Sequence, residues 1–183
     1  MAESEDYSRT IVRDVANNLI LALRSRLKLD LDQCYLVAFI SPVEGMPHGT
    51  VIQVAMGGAT QYGGGDGGQA GGHLARDQQY VLGIFFTTEF GPHEMTEDAM
   101  LEVADGVLDY SERLRAMLAG AMIPDEDGNF SSQQMEQMRY ISESAVQVVD
   151  ADMVTLMKQI VFAVPLVVPL VDDTQTIGYS STS

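Results

Sequence analysis

The stretch QYVLGIFFTTEF at residues 79–90 decides the fold, because it is the most β-prone part of the sequence. Its β-branched and aromatic residues, followed directly by Gly91 and Pro92, predict a buried strand that ends there. Upstream, TVIQVAM at residues 50–56 predicts a second strand of the same kind. Between the two lies GGATQYGGGDGGQAGG, residues 57–72, with nine glycines in sixteen residues. We therefore expect a hairpin with a long glycine-rich connection.

This connection is predicted to be a mobile, projecting loop. Glycine-dense chain is costly to order, and structureless loops above about 12–15 residues are uncommon unless they are functional or disordered. We assign residues 57–78 to the loop and expect it to contact a partner; a plain disordered insertion is the alternative. The candidate interaction residues are Gly57, Tyr62, Gly64, Asp66, Gly68 and His73.

Phosphate binding by these glycines is excluded by what surrounds them. A P-loop needs Gly-Lys-Ser/Thr leading into a helix, and the sequence has no lysine between Lys28 and Lys158. A dinucleotide fingerprint also needs a helix after the glycines, whereas a strand is predicted here.

Two long amphipathic helices are predicted on either side of the hairpin. In residues 8–28 the apolar positions recur every four residues, and Ser8 is the expected N-cap. Thr96 is the expected N-cap of the second helix, and Gly120 fits its C-terminal end. The apolar positions of the first helix are Ile11, Val15, Leu19, Leu23 and Leu27.

The remaining strands are expected at residues 33–40, 139–149 and 159–171. Pro165 and Pro169 predict that the last of these is an edge or terminal strand, and residues 150–157 are expected to form a short helix or a turn. The fold class is therefore α+β, a mostly antiparallel sheet with two long amphipathic helices packed on one face. We expect a single domain over residues 8–171, with flexible ends at 1–7 and 172–183.

Composition excludes several classes of function. The chain has 183 residues, with 10 Lys and Arg against 26 Asp and Glu, and a formal charge of −16. Such a surface lacks the cations that hold phosphates or anionic membranes. The acidic start at residues 1–6 does not resemble a signal peptide, and the apolar run 159–171 is too short to cross a membrane.

The negative charge is unevenly distributed. Residues 1–28 carry five basic and four acidic groups, whereas the other residues carry five basic and 22 acidic ones. We expect the first helix to dock on an acidic neighbour, such as another copy of the chain; a solvated helix face is the alternative. The candidate interface residues are Arg9, Arg13, Arg24 and Arg26.

No catalytic, metal or cofactor site is expected. Cys34, the one cysteine, lies in an apolar strand, and a nucleophilic role would need one of His48, His73 or His93 beside it. The acidic turn before Gly128 fails as a calcium loop, because an EF-hand register puts Ile123 and Gln134 at two ligand positions. The carboxylates Glu102, Asp105, Asp109 and Glu112 are expected to form a solvated anionic helix face.

The order of the elements resembles that of the tail terminator (tail completion) proteins of long-tailed bacteriophages. The segments that carry this likeness are TIVRDVANNLILALRSRL, TVIQVAM, QYVLGIFFTTEF, TEDAMLEVADGVLDYSERLRAMLAG and MRYISESAVQVVDADMVTLMKQIVFAVPLV. The likeness covers residues 8–171 and is one of layout.

The resemblance implies a structural virion protein that forms a homo-hexameric ring in the tail or neck, assembled in the host cytoplasm. Such a ring ends growth of the tail tube and joins the tube protein to head-completion proteins. It also implies a sheet facing the channel, helices outside, and an anionic passage that genome DNA crosses without being bound. An acidic dimeric secretion-type chaperone is the alternative, and a small hydrolase or transferase is a third.

Overall fold

The computed structural model describes residues 3–43, 45–61, 73–88, 91, 94, 96–124, 127–130, 133–150 and 154–169. Two helices and six strands lie in these residues, which confirms the predicted α+β class. The helices are α1 (Glu3–Leu27) and α2 (Glu97–Leu118). The strands are β1 (Cys34–Val37), β2 (Gly49–Gln61), β3 (His73–Thr87), β4 (Arg139–Glu143), β5 (Gln147–Asp150) and β6 (Thr155–Pro169).

The six strands form one sheet in the order β1-β2-β3-β6-β4, with β5 also paired to β6. β1 runs parallel to β2, and the other pairings are antiparallel, which confirms a mostly antiparallel sheet. β2, β3 and β6 form its centre. β1 lies at one edge, and β4 and β5 lie at the other.

The apolar run near the C-terminus is the last strand in the element order, but it lies inside the sheet, so the predicted edge position is wrong. β6 pairs with β3 on one side and with β4 and β5 on the other, and it begins at Thr155, inside the predicted helix or turn. Pro165 is tolerated because of its orientation. Its carbonyl accepts from the Met135 N–H at 2.9 Å, away from β3, so its missing N–H also points away from β3.

The predicted strand 139–149 is divided into β4 and β5. The Ser144 N–H donates to the Gln159 carbonyl at 2.9 Å, and the Ser144 hydroxyl accepts from the Gln159 N–H at 3.0 Å, replacing part of the strand ladder. The pairing register with β6 also shifts within each of the two strands. Such irregularities make a sheet edge less able to pair with the strands of other chains.

The hairpin strands extend further into the glycine-rich stretch than the assigned loop 57–78 allows. β2 continues to Gln61, and β3 begins at His73. Gly57 lies at a register shift within β2, where the Gln78 side-chain amide donates to its carbonyl at 2.8 Å. The first glycines therefore form a β-bulge and do not end the strand. Residues 62–72 of the predicted loop lie outside the described residues.

The first helix begins at Glu3, so Ser8 lies inside it and is not the N-cap. Acidic residues such as Glu3 and Asp6 are favoured in a first helical turn by the helix dipole. The helix ends where Lys28 adopts the left-handed conformation with φ 56°, and the Leu29 N–H donates to the Arg24 carbonyl at 3.1 Å.

The second helix has the predicted N-cap. The Thr96 side chain accepts a hydrogen bond from the Ala99 N–H at 3.3 Å, and acidic residues occupy the first turn. Gly120 follows the helix with φ +83°, which satisfies the backbone requirement expected for it.

The main hydrophobic core joins both helices to alternate residues of the central strands. Ile52, Tyr80, Leu82 and Phe162 are fully buried in it, and the Tyr80 hydroxyl donates to the Val12 carbonyl at 2.9 Å. We call the side of the sheet that carries these residues the core face. The helical members of the cluster are Val12, Val15, Ala16, Leu19, Ile20, Leu23, Val107, Leu114 and Leu118.

The other side of the sheet, here called the opposite face, carries a smaller cluster. Val51, Phe85 and Met157 form its buried centre. The half-buried side chains that pack against this centre are Tyr35, Ile40, Met46 and Val149.

Candidate functional site

The opposite face is covered at one end by the segment that follows β1. Buried Gln53 holds this segment: its side-chain oxygen accepts from the Ser41 N–H at 3.0 Å, and its amide donates to the Ser41 carbonyl at 2.8 Å. The same amide lies 3.2 Å from the Tyr35 hydroxyl oxygen. One polar side chain therefore satisfies both backbone groups of Ser41 and fixes the segment on the sheet.

A glycine allows this segment to approach closely. A Cβ added to Gly83 would lie 2.3 Å from Cγ2 of Ile40, far inside van der Waals contact. Gly83 pairs with Gln53 in the sheet, so the amide anchor and the close approach are neighbours.

The rest of the opposite face is polar or weakly apolar and nearly uncharged. Along β2, β3 and β6, the one charged residue among the described side chains of this face is Asp77. It forms an ion pair with Arg139 of β4. Val81 and Val161 are half-buried neighbours across the β3–β6 pairing. Cations are therefore scarce among the described residues of this face, and Arg139 is paired.

The predicted interface arginines whose side chains are described lie in different surroundings. The Arg24 guanidinium donates from Nε to the Cys34 carbonyl at 2.7 Å and from Nη2 to the Leu31 carbonyl at 3.2 Å, so it fixes the edge of β1. Arg13 is exposed. Arg26 lines a small groove of about 60 Å³ between α1 and the end of α2. Arg9 is in α1, but its side chain lies outside the description.

The predicted loop residues fall mostly outside the described chain. Gly57 is the bulge residue of β2, and His73 begins β3 opposite Pro169. The other four, Tyr62, Gly64, Asp66 and Gly68, are not among the described residues.

Cys34 is poorly suited to nucleophilic chemistry. It is fully buried, and burial raises the pKa of its thiol from 9.0 to about 12, although the Arg24 charge acts in the opposite direction. A thiol with such a pKa is almost entirely protonated at neutral pH. His48 contacts the Thr88 carbonyl at 3.2 Å through Nδ1, and His93 is outside the described residues.

Among the described residues, no three His, Cys, Asp or Glu side chains come together as a metal site would require. No helix in the same part of the chain is both long and apolar enough to span a membrane.

Sequence reasoning missed an ion pair between β4 and β6 that is buried on its lysine side. The Lys158 Nζ lies 3.0 Å from an oxygen of Glu143, and the Ser111 hydroxyl lies 3.5 Å from the other oxygen of that carboxylate. The Lys158 side chain is only 6% exposed, so pairing offsets the cost of burying its charge. Lys158 alternates with apolar residues in a strand-like pattern, but nothing in the sequence indicates which carboxylate meets it.

Acidic residues and exposed leucines share the outer surface of α2. Asp105 and Glu102 are exposed, as the predicted anionic face requires, while Asp109 and Glu112 form ion pairs with Arg113 and Arg115 on the same helix. Leu101 and Leu108 interrupt this polar surface and are 59% and 40% exposed.

An open cleft of about 500 Å³ lies beside the 135–139 segment. Met122, Met135 and Met138 line it, together with Arg139. Glu136 and Gln137 also line it, so the cleft combines adaptable methionine side chains with polar ones.

No known family model matches this chain, and a search of curated proteins gives no significant match. Its function therefore has to be inferred from its own residues and geometry.

Proposed function

We propose that this chain is a structural, non-enzymatic subunit of the tail terminator type. In this proposal six copies close into a ring at the head-proximal end of a bacteriophage tail tube. The ring ends tube growth and joins the tube protein to head-completion proteins in the virion. The element order and the strongly acidic composition support this assignment.

We further propose that both helices pack on the core face and point outward, while the opposite face lines the channel. The main hydrophobic cluster supports the first part, because it contains buried residues of both helices and of the core face. The second part rests on the opposite face being nearly uncharged and lined by small, half-buried side chains such as Val81 and Val161, with polar Gln79 and Gln159 among them.

The observation that carries the proposal is the shortage of cations on the opposite face. Proteins hold DNA mainly through Lys and Arg contacts to phosphates, and this term dominates non-specific binding. Here Arg139 is paired with Asp77, and the whole chain has a net charge of −16. DNA would therefore pass such a wall without a site that retains it. The strands themselves are close to neutral, so the anionic character of the channel would come from other residues.

The test compares the wild-type protein with two lysine variants. Val161→Lys adds a cation to the opposite face, and Ala116→Lys adds the same charge to an exposed position of α2. We expect annular particles in negative-stain images for all three proteins. In a gel-shift assay, we expect salt-sensitive retention of double-stranded DNA by Val161→Lys alone. A wild-type protein that binds DNA, or two lysine variants that behave alike, would contradict the assignment of the channel wall.

The methionine-lined cleft favours one alternative, an acidic dimeric chaperone that holds apolar segments of another protein. Exposed Phe130 lies in the same connection between α2 and β4 and adds apolar surface. Light scattering separates the two proposals, because a stable dimer with no larger assembly supports the chaperone and contradicts the ring.

A further inference from the structure

We infer that neighbouring copies contact each other through the basic flank of α1 and the acidic row of α2. This inference rests on the proposed function, because it names the two surfaces through which the proposed ring would close.

The basic flank consists of Arg13, Lys28 and the adjacent Leu31. Arg24 shows that this side of α1 faces the β1 edge, because its side chain reaches the Cys34 and Leu31 carbonyls there. Arg13 precedes Arg24 by eleven residues, close to three helical turns, so it lies on the same side of α1. Arg13 and Lys28 are exposed, Leu31 is 74% exposed, and neither cation forms an ion pair within the described residues.

The acidic row follows one side of α2 at spacings of four, three and four residues, which places its members on one helical face. Arg115 is three residues beyond the row, and its guanidinium lies 5.8 Å from the centre of the Tyr140 ring in β4. The row is therefore on the side of α2 turned toward the β4 edge. Its members are Leu101, Asp105, Leu108 and Glu112.

The two surfaces lie at opposite ends of the sheet. α1 contacts β1, β2 and also β6, and its C-terminal end reaches the β1 edge through Arg24, whereas α2 contacts β6, β3 and β4. A contact that joins one end of a subunit to the other end of its neighbour is head-to-tail, and it is the type that generates a ring when the rotation closes.

The chemistry of the two surfaces is complementary. Each surface has a strongly exposed leucine, Leu31 on one and Leu101 on the other. The exposed cations of the first surface, Arg13 and Lys28, are opposite in sign to Asp105 of the second. Asp105 has no ion pair among the described residues, so it is available to a cation of the next copy. Direct pairing of strand edges is less favourable, since Arg24 occupies the Cys34 carbonyl and the β4–β5 edge is interrupted.

Two carboxylates work against this contact and give it a distinctive signature. Asp30 and Asp32 flank Leu31 and are exposed, so they would face the acidic row of the neighbour. Neutralising both, as Asp30→Asn with Asp32→Asn, should tighten assembly. A contact with a basic surface would instead be weakened by this change.

The experiment measures assembly of the full chain by sedimentation velocity over a concentration series. We expect Arg13→Glu and Asp105→Arg each to raise the concentration needed for assembly by about tenfold or more, and the double variant to recover most of the loss. Matched controls are Arg26→Glu, on the groove side of α1, and Glu102→Arg, off the row on α2. Circular dichroism melting checks that every variant is folded.

Failure of this inference is distinguishable from failure of the proposed function. A wild-type ring whose assembly responds to Asp105→Arg no more than to Glu102→Arg overturns the inference and leaves the ring standing. The inference is also overturned if the Asp30→Asn/Asp32→Asn variant assembles no more tightly than the wild-type protein. A wild-type chain that stays monomeric at its highest soluble concentration overturns both.

Discussion

The two faces of the central strands are built for different tasks. On β3, Leu82 is fully buried in the main core, whereas its neighbour Val81 points to the opposite face and is half-buried. The core face carries large, fully buried apolar side chains that belong to the main hydrophobic cluster. On the opposite face, the packing consists of a small cluster, the Gln53 amide that holds the covering segment, and the close approach of that segment at Gly83. The same strands thus provide a large apolar core on one face and a half-buried, nearly uncharged surface on the other.

The largest expected effect contrasts two adjacent truncations on β3. Leu82→Ala should lower the free energy of unfolding by about 2–5 kcal/mol, because it removes buried methyl groups and leaves a cavity. Val81→Ala, on the half-buried side, should cost about 1 kcal/mol or less. Urea denaturation measures both. Equal losses would contradict the division of labour between the faces.

A smaller effect concerns the close approach between Gly83 and the segment that follows β1. Gly83→Ala should destabilise by about 1–3 kcal/mol, because the new Cβ overlaps Ile40, and Ile40→Ala in the same chain should recover part of the loss. Gly106→Ala is the matched control: its Cβ meets nothing within 4 Å, so it should stabilise α2 by about 0.5–1 kcal/mol. Thermal melting of the four proteins distinguishes overlap from a general intolerance of substitution.

The smallest effect uses pH to probe burial on the core face. The thiol pKa of Cys34 is about 12 in the folded chain against an ordinary 9.0, and burial also raises the pKa of Tyr80. The folded chain therefore keeps protons that the unfolded chain releases, so stability is full below about pH 9 and falls as pH rises toward 12. We expect a loss of about 1 kcal/mol by pH 10, measured by urea midpoints. In Cys34→Ala this loss should start about one pH unit higher, and a midpoint constant from pH 8 to 10.5 would refute deep burial.

Local patterns were sufficient for much of the fold. The four-residue apolar spacing located α1, the Thr96 cap located the start of α2, and β-rich runs located the central hairpin. These signals depend on neighbours in the sequence, which is why they could be found without a structure.

Features set by distant partners were not predictable. Pro165 indicated an edge strand, and only the direction of its carbonyl toward Met135 explains its central position. Arg24 is a predicted interface residue, and nothing in the sequence indicated that its guanidinium donates to the Cys34 carbonyl across the turn. The glycines at the start of the loop include a bulge held by Gln78, and nothing in their composition separates a bulge from a loop.

The most direct test of the proposed ring is the mass and shape of the purified wild-type particle. Light scattering coupled to size exclusion, followed by negative-stain imaging, should give six copies per particle and a closed annulus with a central hole. A monomer or a compact dimer at the highest soluble concentration, with no annular particles, would contradict the proposal.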